Sequence, residues 1–232
     1  MYLPTPFKET DLAVLHRFVK EHPLGALVIQ GSHGLSAEHL PFLLESEETG
    51  LGILKAHVAR ASQLWQEALN GHDETLVIFQ GPSAYISPSW YASKLETHRV
   101  VPTYNYATVH AYGQIKVRDD AQWVRGLVAR LTRAHEATQD TPWRMTDAPA
   151  DFIDEQLSRI VGIEIHVSRL EGKWKMSQNR SEADRKGVLQ GLHRESTPQA
   201  TEAAAEMLRT SPEQAQTLPL KSDRLRLRTI PL

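Results

Sequence analysis

The chain has 232 residues, 41% hydrophobic and 23% charged, with a formal net charge of −2 and a pI of about 6.6. That length fits one large domain, or one domain with a small appendage, and the composition is that of an ordinary globular protein. Zero cysteines exclude disulfides, thiolate nucleophiles and zinc–cysteine sites, no apolar run approaches the ~18 residues of a spanning helix, and the charge balance lacks the basic footprint of an autonomous DNA-binding domain.

Thr10 or Asp11 can cap a first helix whose Leu12, Leu15, Phe18 and Val19 share a face, and Pro23 ends it. Residues 24–30 read as a strand and 31–34 as a turn. Two further strands, 38–44 and 51–58, are joined by the acidic loop 45–50. Residues 63–69 suit a short helix, and Asn70-Gly71 marks a turn. The β-branched, apolar run 75–79 reads as a buried strand; Gly81-Pro82 breaks it, and 84–86 resumes the sheet before Pro88.

From 104 to 117 the residues alternate, so Tyr104, Tyr106, Thr108, His110 and Tyr112 share one face of a long strand. Residues 119–136 form an amphipathic helix with Trp123, Leu127, Val128 and Leu131 inward, and 152–160 form another. A strand over 162–170 precedes a turn at Glu171-Gly172. Ser181 caps a helix over 181–193, with Asp184 completing a capping box. A helix is expected around 202–209, the rest of 195–221 has a mobile composition, and Arg224-Leu-Arg-Leu-Arg228 alternates like an edge strand or docking segment.

Six or seven strands without regular strand–helix alternation argue for an α+β fold around an antiparallel sheet or barrel. Residues 1–193 are expected to form the main domain, with 194–232 as a partly helical or mobile extension. The N-terminus has no basic region followed by an apolar stretch, so no secretion signal is expected and the cytoplasm is the expected compartment. Lys221, Arg224, Arg226 and Arg228 make the best local basic patch, interrupted by Asp223.

Several chemical signatures are missing. The sequence has no G-x-G-x-x-G after a strand, no phosphate-binding G-x-x-x-x-G-K-[ST] loop and no H-E-x-x-H. Its eleven histidines show no metal-ligand spacing, and Ser83, Ser87 and Ser89 lack a nucleophile-elbow context. Neither a metal site nor a catalytic residue is expected.

The informative stretch lies between residues 55 and 110, where strand-forming residues mix with polar groups, aromatics and prolines as if lining a cleft. Six ordered motifs carry a family resemblance. They are Met1-Tyr-x-Pro-x-x-Phe7, His39-Leu-Pro41, His57-Val-Ala-Arg-Ala61, Phe79-x-Gly-Pro-x-x-Tyr-Ile-Ser-Pro-Ser-Trp-Tyr91, Val101-Pro-Thr-Tyr-Asn-Tyr106 with Val109-His110, and Lys173-Trp-Lys-Met-Ser-Gln-Asn179. Over residues 1 to 193 the chain resembles the PaiB-type proteins, described as FMN-binding negative transcriptional regulators. The resemblance implies an antiparallel split β-barrel of the FMN-binding type, with peripheral helices and a helical C-terminal extension. It also implies FMN as cofactor and a homodimer binding flavin at the subunit interface. Two positions depart from the family pattern: Ser62-Gln63 replaces the usual Asn-Pro, and Tyr104 replaces Trp.

FMN needs donors for its phosphate, a flat wall for its ring and scattered hydrogen-bond partners for its ribityl chain. Arg60, with Ser62 two residues on, reads as a phosphate clamp or as a surface arginine paired with Glu67 or Glu74. His57, beside Val58, reads as a member of the same site or as a hydrogen-bonded strand histidine. Ser87, Ser89, Trp90 and Tyr91 offer two hydroxyls and two rings, for ribityl and ring contact or for sealing the barrel end. Thr103 and Asn105 suit the flavin edge or phosphate, or else stabilise a turn. Trp174 is expected to pack inward, leaving Lys175 on the opposite face. Lys175 and Gln178 are implied as contacts from the second subunit, with a solvated loop lysine as the alternative.

The functional expectation is an FMN-binding homodimer of the PaiB type. An NAD(P)H-dependent flavin reductase on the same fold is the alternative, and a flavin-independent interaction protein a third reading. DNA is a possible partner that the charge balance does not support, and no membrane association is expected.

Overall fold

The structure, a computed structural model, describes residues 1–47, 50–70 and 74–210. A 3-10 turn, Thr5–Phe7, leads into β1 (Lys8–Glu9), α1 (Leu12–Glu21), β2 (Leu24–Gly31), β3 (Gly34–Pro41), β4 (Leu43–Glu45), β5 (Ile53–Ala59), α2 (Leu64–Asn70) and β6 (Thr75–Ile86). A second 3-10 turn, Pro88–Trp90, precedes α3 (Ser93–Thr97), β7 (Thr103–Arg118) and α4 (Ala121–Glu136). After a third, Met145–Asp147, come α5 (Ala150–Ser158), β8 (Ile160–Lys175), α6 (Glu182–Glu195) and α7 (Pro198–Arg209).

The strands form one sheet in the order β3-β2-β6-β7-β8-β5-β4, and β1 pairs with β8. β2 runs antiparallel to β3 and β6, β5 to β4 and β8, and β1 to β8. The fold is therefore the α+β, antiparallel class expected. The described residues form two compact units, one of Met1–Gly81 with Tyr106–Trp174, the other of Pro82–Asn105 with the described residues from Lys175 on.

The first unit's core follows the period-2 pattern of its strands. Leu27 and Ile29, Leu54, Ala56 and Val58, Val77 and Phe79, Val109 and Ala111, and Val161, Ile163 and Ile165 are all buried. Each large side chain so buried contributes about 1.5–3 kcal/mol. α1 adds Leu15, Phe18 and Val19, with Phe18 edge-on to Trp174 at 4.9 Å between ring centres. Its cap is Asp11, whose carboxylate accepts from Ala13 N at 2.8 Å. α4 buries Val124, Leu127 and Leu131 and is capped by Asp120; Trp123 and Val128, expected inward, are half-buried.

In the second unit α6 packs against α7, which contributes Ala200, Ala203, Ala204 and Met207. Ser181 caps α6 as expected: its hydroxyl accepts from Asp184 N at 3.2 Å. The Asp184 carboxylate, however, turns to Ser93, so only half of the expected capping box exists.

Three segments differ from the sequence expectation. β6 runs unbroken through Gly81-Pro82, because an extended backbone already has the φ that proline imposes. Gly81 serves packing: a Cβ there would meet the Phe18 ring at 2.6 Å. β8 continues through Glu171-Gly172, which pairs with β1 in the register Glu9↔Gly172. A Cβ on Gly172 would meet Leu15 at 2.3 Å, so this glycine permits a close approach instead of a turn. The single strand expected over 38–44 is split at Phe42, which is buried and donates its N–H to Pro23 O at 2.8 Å. Parts of the 45–50 loop and of the Asn70-Gly71 turn, and the whole Arg224–Arg228 segment with its basic patch, lie outside the described residues.

Candidate functional site

Four of the sequence-derived candidates lie in the first unit. Val58 is a core residue of β5, 1% exposed. His57 alternates to the other face, where its Nδ1 is buried without a hydrogen-bond partner. Burial lowers its pKa, so the ring is neutral at neutral pH.

Arg60 follows the end of β5. Its Nη1 donates to Asp119 Oδ2 at 2.9 Å and its Nη2 to Oδ1 at 2.5 Å, a bidentate fork, while Nε donates to Ser158 O at 2.8 Å. The hydrogen bond and charge of Arg60 hold the Asp119 carboxyl below its ordinary range. The partner is thus neither Glu67 nor Glu74. Ser62 does not join Arg60. Its hydroxyl donates to Glu38 and accepts from Leu64 N at 3.1 Å, at the start of α2. Beside it lies a cavity of about 600 Å³ lined by His33, Glu38, Ser62, Gln63 and Glu67 among others. Two carboxylates make that cavity a poor host for phosphate.

The other eight candidates lie in the second unit, and here the structure does bring residues together. Lys175 donates to Thr103 Oγ1 and to Tyr104 O, both at 2.5 Å. Asn105 is fully buried, accepting from Ser177 Oγ at 3.1 Å with its Nδ2 3.9 Å from Met207 Sδ. It ties two chain segments together, in place of the local turn considered for it. Gln178 Oε1 accepts from Met176 N at 2.7 Å.

Ser87 caps the Pro88–Trp90 turn, its hydroxyl accepting from Ser89 N at 3.2 Å. Ser89 in turn accepts from Lys94 Nζ at 3.2 Å. Both hydroxyls are used as acceptors, so each keeps an O–H for an acceptor on a ligand. Tyr91 is buried and its Oη has no partner. Arg180 lies over the ring, 4.6 Å from its centre.

Lys94 and Arg180 escaped the sequence reading. Lys94 lies in α3, a five-residue helix too short to show a periodic pattern, and Arg180 meets Tyr91 across 89 residues of chain. A further set, in the first unit, was also missed. Lys173 is buried, donates to Tyr2 O at 2.9 Å and lies 5.7 and 5.4 Å from the Tyr2 and Tyr106 ring centres. Earlier on β8, Arg169 stacks on Tyr112 at 3.5 Å and pairs with Glu171 at 2.5 Å.

An unpartnered buried polar atom costs about 1–3 kcal/mol, and the orphaned His57 Nδ1 and Tyr91 Oη are each positions where a polar ligand would relieve it. Among the described residues no group of His, Asp and Glu could hold a metal ion, and no helix is long and apolar enough to cross a membrane.

Residues 1–169 match the family described as "Putative FMN-binding domain". The chain belongs to this family. It is 32% identical over 204 residues to the protease synthase and sporulation protein PAI 2 of Bacillus subtilis, covering 88% of this chain and 95% of that one. It is also 32% identical over 226 residues to an uncharacterized protein of Emericella nidulans, covering 83% and 90%. Among solved structures it resembles the flavocytochrome Anf3 of Azotobacter vinelandii, with a TM-score of 0.56 at 11% identity over 78% of this chain and 75% of that chain. The family, the PaiB-type relative and the structural likeness together place the chain on the split-barrel flavoprotein fold.

Proposed function

We propose that this protein binds FMN and acts as a homodimeric, flavin-loaded regulator of the PaiB type. The observation that carries the reading is the Ser87–Ser89–Lys94 set. Two hydroxyls with O–H donors to give stand beside an ammonium that has no carboxylate partner among the described residues. A phosphate accepts from that combination, and charge-assisted bonds of this kind are the strong ones. Lys175 with Thr103 adds a second pairing of cation and hydroxyl in the same unit.

Arg60 is the alternative phosphate partner, and to serve it must exchange Asp119 for the ligand. FMN, when bound, supplies the electron chemistry; the chain's own residues hold and orient it.

The regulatory part of the reading is carried over from the Bacillus relative, whose name refers to protease synthesis and sporulation. A net charge of −2 favours regulation through protein contacts over autonomous DNA binding. Exposed Tyr85, Leu95, Val101 and Tyr104 support a second copy as a partner.

Comparing FMN with riboflavin by fluorescence quenching tests the phosphate assignment. FMN should bind at least about tenfold more tightly, since losing a charge-assisted contact costs about 1.5–3 kcal/mol. Equal affinities would remove the phosphate site. A gel-shift titration at low salt tests the regulatory mode: no shift is expected, and a sequence-specific shift would replace protein contacts with direct DNA binding.

A further inference from the structure

α6 presents one face to the 3-10 turn that carries Ser89 and Trp90. Asp184, Gly187 and Gly191 are spaced i, i+3, i+7, so they line up along that face. At Gly187 a Cβ would stand 2.0 Å from the carbonyl oxygen of Trp90. At Gly191 it would stand 2.2 Å from Trp90 Cδ2 and 2.6 Å from Cε2 and Cε3. The two glycines therefore make a groove in which the Trp90 backbone and indole lie directly on the helix. Glycine in a helix interior costs about 1 kcal/mol relative to alanine, so two of them four residues apart are there for contact and not for helix formation.

Asp184 closes the same seat from one end. It is 4% exposed and accepts from Ser93 N at 2.9 Å and Ser93 Oγ at 2.8 Å, fixing the start of α3, which also carries Lys94. Arg180, just before the helix, covers Tyr91. One helix thus fixes residues on both sides of Ser89, while α7 packs against it in turn.

We propose that α6 is a positioning element for the ligand site: Gly187, Gly191 and Asp184 set the placement of the Ser87, Ser89 and Lys94 donors. This rests on the reading that those donors meet FMN. None of the three α6 residues needs to touch the ligand. A shift of the Trp90 seat by one methyl group moves the donors out of register with the phosphate while α6 itself gains helix propensity.

The test is a double-mutant cycle on FMN affinity in the full chain, with thermal unfolding as a parallel readout. Gly191→Ala should weaken FMN binding about tenfold or more in the wild-type background. In a Trp90→Ala background, where the clash is gone, it should change affinity less than about twofold. Riboflavin, lacking the phosphate, should respond less than FMN. Gly187→Ala, whose added methyl meets the Trp90 carbonyl oxygen that the alanine background keeps, should weaken FMN binding in both backgrounds. Should either glycine variant fail to fold, Ser93→Ala, which removes one donor to Asp184 and keeps the N–H, should weaken FMN about threefold. Full FMN affinity in folded Gly191→Ala and Ser93→Ala, or an equal loss from Gly191→Ala in both Trp90 backgrounds, overturns the positioning role. A wild-type chain that ignores FMN instead removes the reading on which it rests.

Discussion

Arg60 and Asp119 form a bidentate pair at 2.9 and 2.5 Å in which the guanidinium is 42% and the carboxylate 48% exposed. A pair so exposed is worth under about 1 kcal/mol, so the contact can be exchanged for a ligand at little cost. If Arg60 takes the FMN phosphate, Asp119 is its competitor. Asp119→Asn should then tighten FMN binding about threefold, and Arg60→Ala should weaken it about tenfold or more. Parallel titrations of the two variants read this directly. Weakened binding in both variants would make the pair structural and leave the phosphate to the second unit.

Lys94→Ala addresses that second unit. Its amine touches Ser89 and no carboxylate among the described residues. The variant should lose about fivefold to tenfold in FMN affinity and leave riboflavin affinity unchanged, because only the phosphate senses the charge. Isothermal titration with both ligands separates the cases; an equal loss for both would place Lys94 away from the phosphate.

The two units differ in how legible they were. α1, with its Asp11 cap and its Leu15, Phe18 and Val19 face, follows from local pattern, and so does the alternation of β7. Local pattern failed where long-range contact decides. Gly172 looks like half of a turn, yet β1 pairs with it; Pro82 looks like a breaker, yet an extended strand accommodates it. The candidate residues of the second unit were legible as polar and aromatic clusters. Their actual partners were not, since Asn105 with Ser177, Ser93 with Asp184 and Tyr91 with Arg180 are separated by 72, 91 and 89 residues of chain.

Gly172→Ala distinguishes a packing glycine from a turn glycine. The added methyl meets Leu15 at 2.3 Å and Trp174 at 2.9 Å. Overpacking of this kind costs about 1–3 kcal/mol. Chemical denaturation should show the midpoint falling with an unchanged slope, whereas an unaffected midpoint would mean that α1 and β1 yield freely at this point.

Acid should weaken the fold in two stages. Burial lowers the His57 pKa below its ordinary value, so the unfolded chain binds the proton more readily and stability falls as pH drops below about 6.5. At Asp184 burial opposes the charged form, but hydrogen bonds from Ser93 and Ser181 outweigh it and the pKa lies below the ordinary range. Its contribution is complete above about pH 4 and is lost as pH falls through the folded-state pKa. Thermal unfolding from pH 8 to 3 should therefore show a smaller loss between pH 7 and 5.5 in His57→Gln, and a flatter acid limb in Asp184→Asn. Profiles parallel to wild type would assign the acid sensitivity to other groups.

The most direct measurement is a titration of the purified chain with FMN, followed by flavin absorbance and fluorescence between about 350 and 500 nm. Saturable quenching at one FMN per chain is the expected result. No binding up to roughly 100 μM, an affinity weaker than about −5.5 kcal/mol, would leave the split-barrel fold standing and contradict FMN as its ligand.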